Sequence, residues 1–241
     1  MATFLLVHGA WHGGWCWERV VPLLEAAGHR ALAPDLPGMG NHAGPLPDDP
    51  IAAWGQFIAD LARQQDEAVI LVGHSRGGIV ISQAAEFAPE SIALLVYLTA
   101  FLVPPGEAPG APLAFMPNPE LERNIVLSED MSTSTVAASA IPRLFYNTSD
   151  AQWAERAVSL VCPEPTSYVA SPMRITEDRA GRVPRIYIEC MRDRAIPIRL
   201  QRHMADRMPC RRTLTLFTDH SPFYSAPAAL ANALLDGSGL T

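Results

Sequence analysis

Not one of the 241 residues is a lysine, so all 18 positively charged side chains are arginine. That absence excludes Schiff-base chemistry, a pyridoxal phosphate anchor, a Walker-A phosphate loop and a serine-lysine dyad. Cysteine is scarce as well. Cys16, Cys162, Cys190 and Cys210 stand far apart without a C-x-x-C pair, which points to neither a disulfide framework nor a zinc ribbon, and the expected compartment is cytoplasmic. Long apolar runs are missing: "MATFLLVHGA" has no basic flank and its run stops at His8, short of a secretory core or a membrane span. Charge is sparse at 18% of residues, the net charge is -7, and the arginines are scattered rather than clustered. A nucleic-acid surface and an anionic-membrane patch are therefore not expected, and a small molecule is the expected partner.

What is present is a chain long enough for one core, with 49% hydrophobic residues. Its first half alternates short apolar runs with amphipathic stretches, the signature of a parallel sheet built from βαβ units. Strands are predicted at Thr3–Val7, Arg30–Ala33, Ala68–Val72 and Ile92–Thr99. Between them "WERVVPLLEAAG" reads as a helix stopped by Gly28, and "DPIAAWGQFIADLARQ" as another, capped by Asp49 with Pro50 in first place. From 101 to 181 the character changes to clustered prolines, a Ser/Thr-rich tract and short helical pieces around Trp153. A structureless loop of that length is improbable in a compact domain, so 101–181 is predicted to be an inserted, mainly helical cap on a core formed by 1–100 and 182–241. In the second core segment "VPRIYIEC" and "RTLTLF" read as strands, "PIRLQRHMADRM" as a helix opened by Pro197 and "APAALANALLD" as a closing helix ended by Gly237.

The chemistry concentrates at "AVILVGHSRGGIVISQAAEFAP", which sets Gly73-His74-Ser75-Arg76-Gly77 between an apolar strand and an amphipathic helix. A serine on so sharp a turn needs small neighbours two residues to either side, and Gly73 and Gly77 supply them. A serine hydroxyl is a poor nucleophile until a base takes its proton and a carboxylate orients that base. On this strand-turn-helix arrangement the partners follow in the order serine, acid, histidine. Of the seven histidines only His203 and His220 follow the predicted cap, and His203 falls inside a helix. His220 comes just past a strand end, where parallel sheets gather catalytic groups. For the acid, Asp193 lies a few residues past "RIYIEC", with Glu189 inside that strand and Asp219 beside the base as competitors. A side chain adjacent to His220 points elsewhere on extended backbone and a mid-strand Glu189 faces a covering layer, which favours Asp193.

A tetrahedral oxyanion needs donors, each worth about 3 kcal/mol. The expected pair is the backbone N–H of Arg76 and that of Ala10, in the loop "VHGAWHGGWCW" after the first strand. His8 and His12 have metal-ligand spacing but sit on a Gly/Trp-rich loop with no glutamate between them, so no metal is expected. No cofactor is expected either.

The segments "VHGAWHGGWCW", "PLLEAAGHRALAPDL", "VILVGHSRGG", "YIECMRDRAIPIRLQRHM" and "DHSPFYSAP" resemble the α/β-hydrolase fold family, and within it the branch of plant methylesterases, salicylate-binding esterase and hydroxynitrile lyases. The resemblance spans nearly the whole core and is looser in the cap, around "LFYNTSDAQWAERAVSLVCPEP". It implies an α/β-hydrolase fold, mostly parallel sheet flanked by helices, with Ser75 as nucleophile, Asp193 as acid, His220 as base and Ala10 and Arg76 as oxyanion donors. The resembling lyases carry threonine directly after the first-strand histidine and lysine directly after the catalytic histidine, whose charge holds cyanide. Here those positions are Gly9 and Ser221, which favours ester hydrolysis over carbon–carbon cleavage. Alternatives left open are lyase or other cofactor-free chemistry on the same residues, thioester hydrolysis, and a small-molecule receptor that retains them. Substrate contacts are expected from Gly9, Trp11, Phe101, Phe145 and Ser221, with Tyr97 and Phe115 as further pocket residues, and a hydrophobic or aromatic ester as substrate. Oligomeric state is open, a homodimer being the commonest closed assembly.

Overall fold

A computed structural model describes residues 1–42 and 44–240. Six strands, β1 (Thr3–Val7), β2 (Arg30–Leu32), β3 (Val69–His74), β4 (Ile92–Leu98), and, after an insert carrying β5 (Ile125–Leu127), β6 (Thr133–Val136) and β7 (Glu164–Pro165), β8 (Arg185–Cys190) and β9 (Arg212–Leu216), organise the chain. The main sheet runs β2-β1-β3-β4-β8-β9 and every pairing in it is parallel. The central strand β3 is buried along its whole length, as expected of a parallel strand covered on both faces.

Side chains alternate between two apolar layers because successive strand residues point to opposite faces. Leu5, Val7 and Leu71 join one layer with α2 (Pro50–Arg63 in the chain order α1 Val21–Ala26, α2) and α3 (Gly77–Phe87). Phe4, Leu6, Ile70 and Val72 join the other, with residues of α1 and of the C-terminal helix Pro227–Gly237. The predicted cap of α2 is made: the Asp49 side chain accepts from the Ala52 N–H at 3.1 Å, with Pro50 in the first turn. The C-terminal helix runs through Gly237, and the chain turns at Gly239, whose φ is +69°.

The segment between β4 and β8 holds four short helices, α4 (Ala111–Phe115), α5 (Pro119–Glu122), α6 (Ile141–Phe145) and α7 (Ala151–Leu160). It also holds the antiparallel sheet β5-β6-β7, which the prediction of a mainly helical insert did not include. The insert reaches back to the core at defined points: the Cys162 N–H donates to the Trp11 carbonyl at 2.9 Å, and the Thr148 N–H to Asp219 at 2.8 Å. No described helix is long and apolar enough to cross a membrane.

Candidate active site

Among the described residues, four non-glycine residues have positive φ: Trp11 at 60° and Ser75 at 53° line one cavity, Thr99 at 37° lies buried behind it against Asp193, and Met131 at 57° lies elsewhere. Backbone strain of this kind costs on the order of 1–3 kcal/mol per residue and persists only where surrounding contacts over-determine it. At Ser75 those contacts are visible. Its N–H donates to the Leu98 carbonyl at 3.2 Å, and its own carbonyl accepts from Gly78 and Phe101 at 3.1 and 3.0 Å. The turn between β3 and α3 closes because Gly73 lacks a side chain, since a Cβ there would stand 2.6 Å from the Gly77 carbonyl oxygen.

His220 follows β9 and is buried beneath the same cavity. Its Nδ1 lies 2.7 Å from Asp193 Oδ2. Asp193 is itself fixed through both oxygens: Oδ1 accepts from the Ala195 and Ile196 N–H groups at 2.7 and 2.8 Å, and Oδ2 also accepts from the Thr99 hydroxyl at 2.5 Å. With Nδ1–H committed to Asp193, the other ring nitrogen of His220 is the acceptor. The competitors for the acid are spent elsewhere. Glu189 pairs with Arg202 at 2.8 Å and accepts from Thr215, while Asp219 accepts from Thr148, Ser149, Ser221 and Ser225. The alternative base, His203 on the helix Ile198–Arg207, stacks on the exposed Phe115 ring at 4.2 Å.

The loop after β1 runs beside Ser75 so closely that a Cβ on Gly9 would stand 2.9 Å from Ser75 Cβ and 2.8 Å from His74 Nδ1. We expect Gly9→Ala to shift Ser75 and lower turnover roughly 10- to 100-fold, with a melting temperature lower by a few degrees from the overpacking, measurable by steady-state kinetics beside a thermal melt. The amide N–H groups of Ala10 and Arg76 find no acceptor among the described residues.

Three further histidines ring the loop, and they were legible only as metal candidates or not at all. His8 accepts from the Leu36 N–H through Nε2 and donates from Nδ1 to the Gly9 carbonyl at 2.9 Å. His12 donates from Nδ1 to the Ala10 carbonyl at 2.6 Å and faces the Tyr146 hydroxyl through Nε2 at 2.7 Å. His74 donates from Nε2 to the His220 carbonyl at 2.7 Å. All three are buried and their pKa values are pushed down, first by desolvation, that of His12 to about 4. Both ring nitrogens of His8 and of His12 are thus engaged in hydrogen bonds, which leaves neither as a free ligand.

The cavity measures about 320 Å³ and is walled by Trp11, Ile79, Phe101, Leu113 and Phe145, with Ser75 and His220 in its lining. Leu121, Ile125, Leu127 and Tyr168 of the insert complete it. Of the residues expected to touch substrate, Trp11, Phe101 and Phe145 line this space. Gly9 and Ser221 do not: Gly9 backs onto Ser75, and Ser221 is fully buried at the start of the short helix Pro222–Ser225. Tyr97 is also outside the cavity, buried in the core with its hydroxyl 2.8 Å from Ser82, and Phe115 is 65% exposed on the surface.

A parallel sheet that delivers a strained serine, a histidine and a carboxylate to its carboxyl edge defines an α/β hydrolase in class. A family model described as "Alpha/beta hydrolase family" matches residues 4–233, and the chain belongs to that family. It is 34% identical to Methylesterase 7 of Arabidopsis thaliana over 97% of this chain and 95% of that one. It is 33% identical to the pyrethroid hydrolase of Sphingobium wenxiniae over 98% of this chain and 87% of that one. Among solved structures, that of a pyrethroid hydrolase from Sphingobium faniae superposes with a TM-score of 0.89 at 30% identity, covering 99% of this chain and 97% of that one. Such relatives are esterases and hydrolases, and the enzyme class of this chain is carboxylic ester hydrolase.

Proposed function

We propose that the protein hydrolyses carboxylic esters of small to medium size with a hydrophobic or aromatic moiety, through an acyl-enzyme on Ser75. The observation that carries this reading is the Asp193–His220 hydrogen bond of 2.7 Å beside a serine held at φ 53° in an apolar cavity. Ser75 Oγ attacks the ester carbonyl while His220 Nε2 takes its proton, and the Ala10 and Arg76 N–H groups receive the developing oxyanion. His220 then returns the proton to the leaving alcohol, and water attacks the acyl-enzyme in a second cycle of the same base. Ser75 Oγ makes no hydrogen bond among the described residues, and contacts of this kind tighten when substrate arrives. The insert serves as a cap whose apolar wall selects the ester, and neither cofactor nor metal takes part.

Two features support hydrolysis over cyanide release. Ser221 supplies no charge, and Arg76, the only buried arginine among the described residues, is already paired with Glu164. The His74 ring and the Ser75 side chain also crowd the place that the β-carbon of the resembling lyases would take at position 9. The names of the relatives support a preference for methyl esters or for bulky hydrophobic esters, and an ester panel varying acyl group and alcohol independently decides between them. The test of the two-step route is rapid mixing with p-nitrophenyl butyrate. A burst of one p-nitrophenol per enzyme is expected, together with a butyryl adduct on the Ser75 peptide by mass spectrometry. Turnover without that adduct, or no turnover of any ester while the compounds still bind and raise the melting temperature, would sink the proposal.

A further inference from the structure

The side chain of Arg76 is buried to 2% exposure immediately after the nucleophile, where its backbone alone is needed for the reaction proposed above. Its Nη2 donates to the Gly9 carbonyl at 3.0 Å and stands 3.2 Å from Glu164 Oε2, and its Nε donates to the same oxygen at 3.3 Å. The guanidinium lies 4.2 Å above the Trp54 ring, and one nitrogen, Nη1, has no partner. Burying such a pair costs several kcal/mol of desolvation per ion, so it demands a reason beyond stability.

The reason lies in the peptide planes of the loop. A trans peptide holds its C=O and N–H in one plane pointing in opposite directions. The Gly9 carbonyl is gripped from behind by two donors, His8 Nδ1 at 2.9 Å and Arg76 Nη2 at 3.0 Å, so the Ala10 N–H of that same peptide is turned the other way. The next plane is clamped at both ends: the Ala10 carbonyl accepts from His12 Nδ1 at 2.6 Å and the Trp11 N–H donates to Glu164 Oε2 at 3.3 Å. Glu164 is held in place by the Tyr168 hydroxyl at 2.7 Å. Four of the polar groups along Gly9–Trp11 are thus tied down, the last being the Trp11 carbonyl on Cys162, while the Ala10 N–H is left without a partner.

We infer that the Arg76 side chain, paired with Glu164 of the insert, is a positioning residue that aims the Ala10 N–H at the oxyanion. Arg76 then acts twice, as a donor through its own N–H and as the clamp that orients the second donor. The planar guanidinium reaches Gly9 and Glu164 together, which a lysine's point charge does not. The inference rests on the reading of Ala10 and Arg76 as oxyanion donors.

The test is the double variant Arg76→Met/Glu164→Gln, which removes the clamp without leaving a buried charge unpaired, with Arg76→Lys as a second variant that keeps Glu164 compensated. Removal of one oxyanion donor costs about 10²–10³ in kcat, and a misdirected donor retains part of its effect. Each folded variant is expected to lose kcat toward p-nitrophenyl butyrate by roughly 10- to 100-fold at unchanged KM. Affinity for an alkylboronic acid, which mimics the tetrahedral adduct, should fall in proportion, while affinity for the product alcohol stays the same. Full kcat in either folded variant, or a rise in KM alone, overturns the inference. Ser75→Ala separates the two levels: if that variant keeps turnover, the acyl-enzyme reading itself fails, whereas loss of turnover there with full kcat in the Arg76 variants defeats only the positioning role.

Discussion

Asp193→Asn is expected to lower kcat by about 10³–10⁴-fold while leaving the protein folded, because the surroundings of residue 193 dictate which way an amide must lie. Oδ1 accepts two backbone N–H groups, from Ala195 and Ile196, so only the oxygen of an asparagine can occupy that side. The NH₂ group then falls where Oδ2 now sits, 2.7 Å from His220 Nδ1. It can only donate, which forces Nδ1 to become the acceptor and moves the ring proton to Nε2. A base carrying its proton on the side facing Ser75 has no lone pair to receive another. The Thr99 hydroxyl adapts by rotating, and Thr99→Val in the wild-type background removes just one of four hydrogen bonds to the carboxylate, for a cost of roughly tenfold or less. Kinetics with p-nitrophenyl butyrate beside thermal melts of both variants checks the pair. If Asp193→Asn keeps more than about a tenth of wild-type turnover, a carboxylate other than Asp193 orients the base, contrary to the magnitude such a tautomer change produces.

The same geometry explains what the sequence can and cannot reveal. The strands around the site were legible because β1, β3 and β4 are buried on both faces, and buried parallel strands write themselves as continuous apolar runs, although β3 continues through Gly73 to His74, two residues past the Val72 at which its apolar run ends. Ser75 and Asp193 could be placed for the same reason, since β3 and β8 are such strands, whereas His220 follows the edge strand β9, where a polar-and-apolar alternation in "RTLTLF" marked the strand instead. The sheet β5-β6-β7 was not, because strands of three, four and two residues carry too few positions to establish a period. Nor were the roles of side chains set by distant partners. Arg76 meets Glu164 across 88 residues and Trp11 meets it across 153, and no local pattern encodes either contact. Thr99 left a faint trace, as a hydroxyl at the end of the strand that neighbours β8. His8 and His12 left a misleading one, a metal-like spacing that the fold uses to hold two consecutive carbonyls.

Those histidines also set the acid limit of the fold. His12 has a folded pKa of about 4 against 6.5 for the unfolded chain, and His8 and His74 are displaced in the same direction, in each case chiefly because burial disfavours the charged ring. Between pH 4 and 6.5 the unfolded chain therefore holds protons that the folded chain has released. Stability from the neutral rings is complete above pH 6.5 and is lost as pH falls toward 4. At pH 5 the loss through His12 is about 2 kcal/mol, and His8 and His74 act in the same direction, in a protein whose whole margin is on the order of 5–15 kcal/mol. Glu164 works in the opposite sense, since burial raises its pKa and its protonation in the folded state offsets part of the loss. One carboxyl against three imidazoles does not reverse the direction. Urea unfolding followed from pH 7.5 to pH 5 is expected to show a falling midpoint and a net uptake of protons on unfolding between those pH values. A midpoint that stays level across that range would mean that the rings are charged in the folded protein, and a charged His8 or His12 could not keep accepting from Leu36 and Tyr146 while donating to the carbonyls behind Ala10.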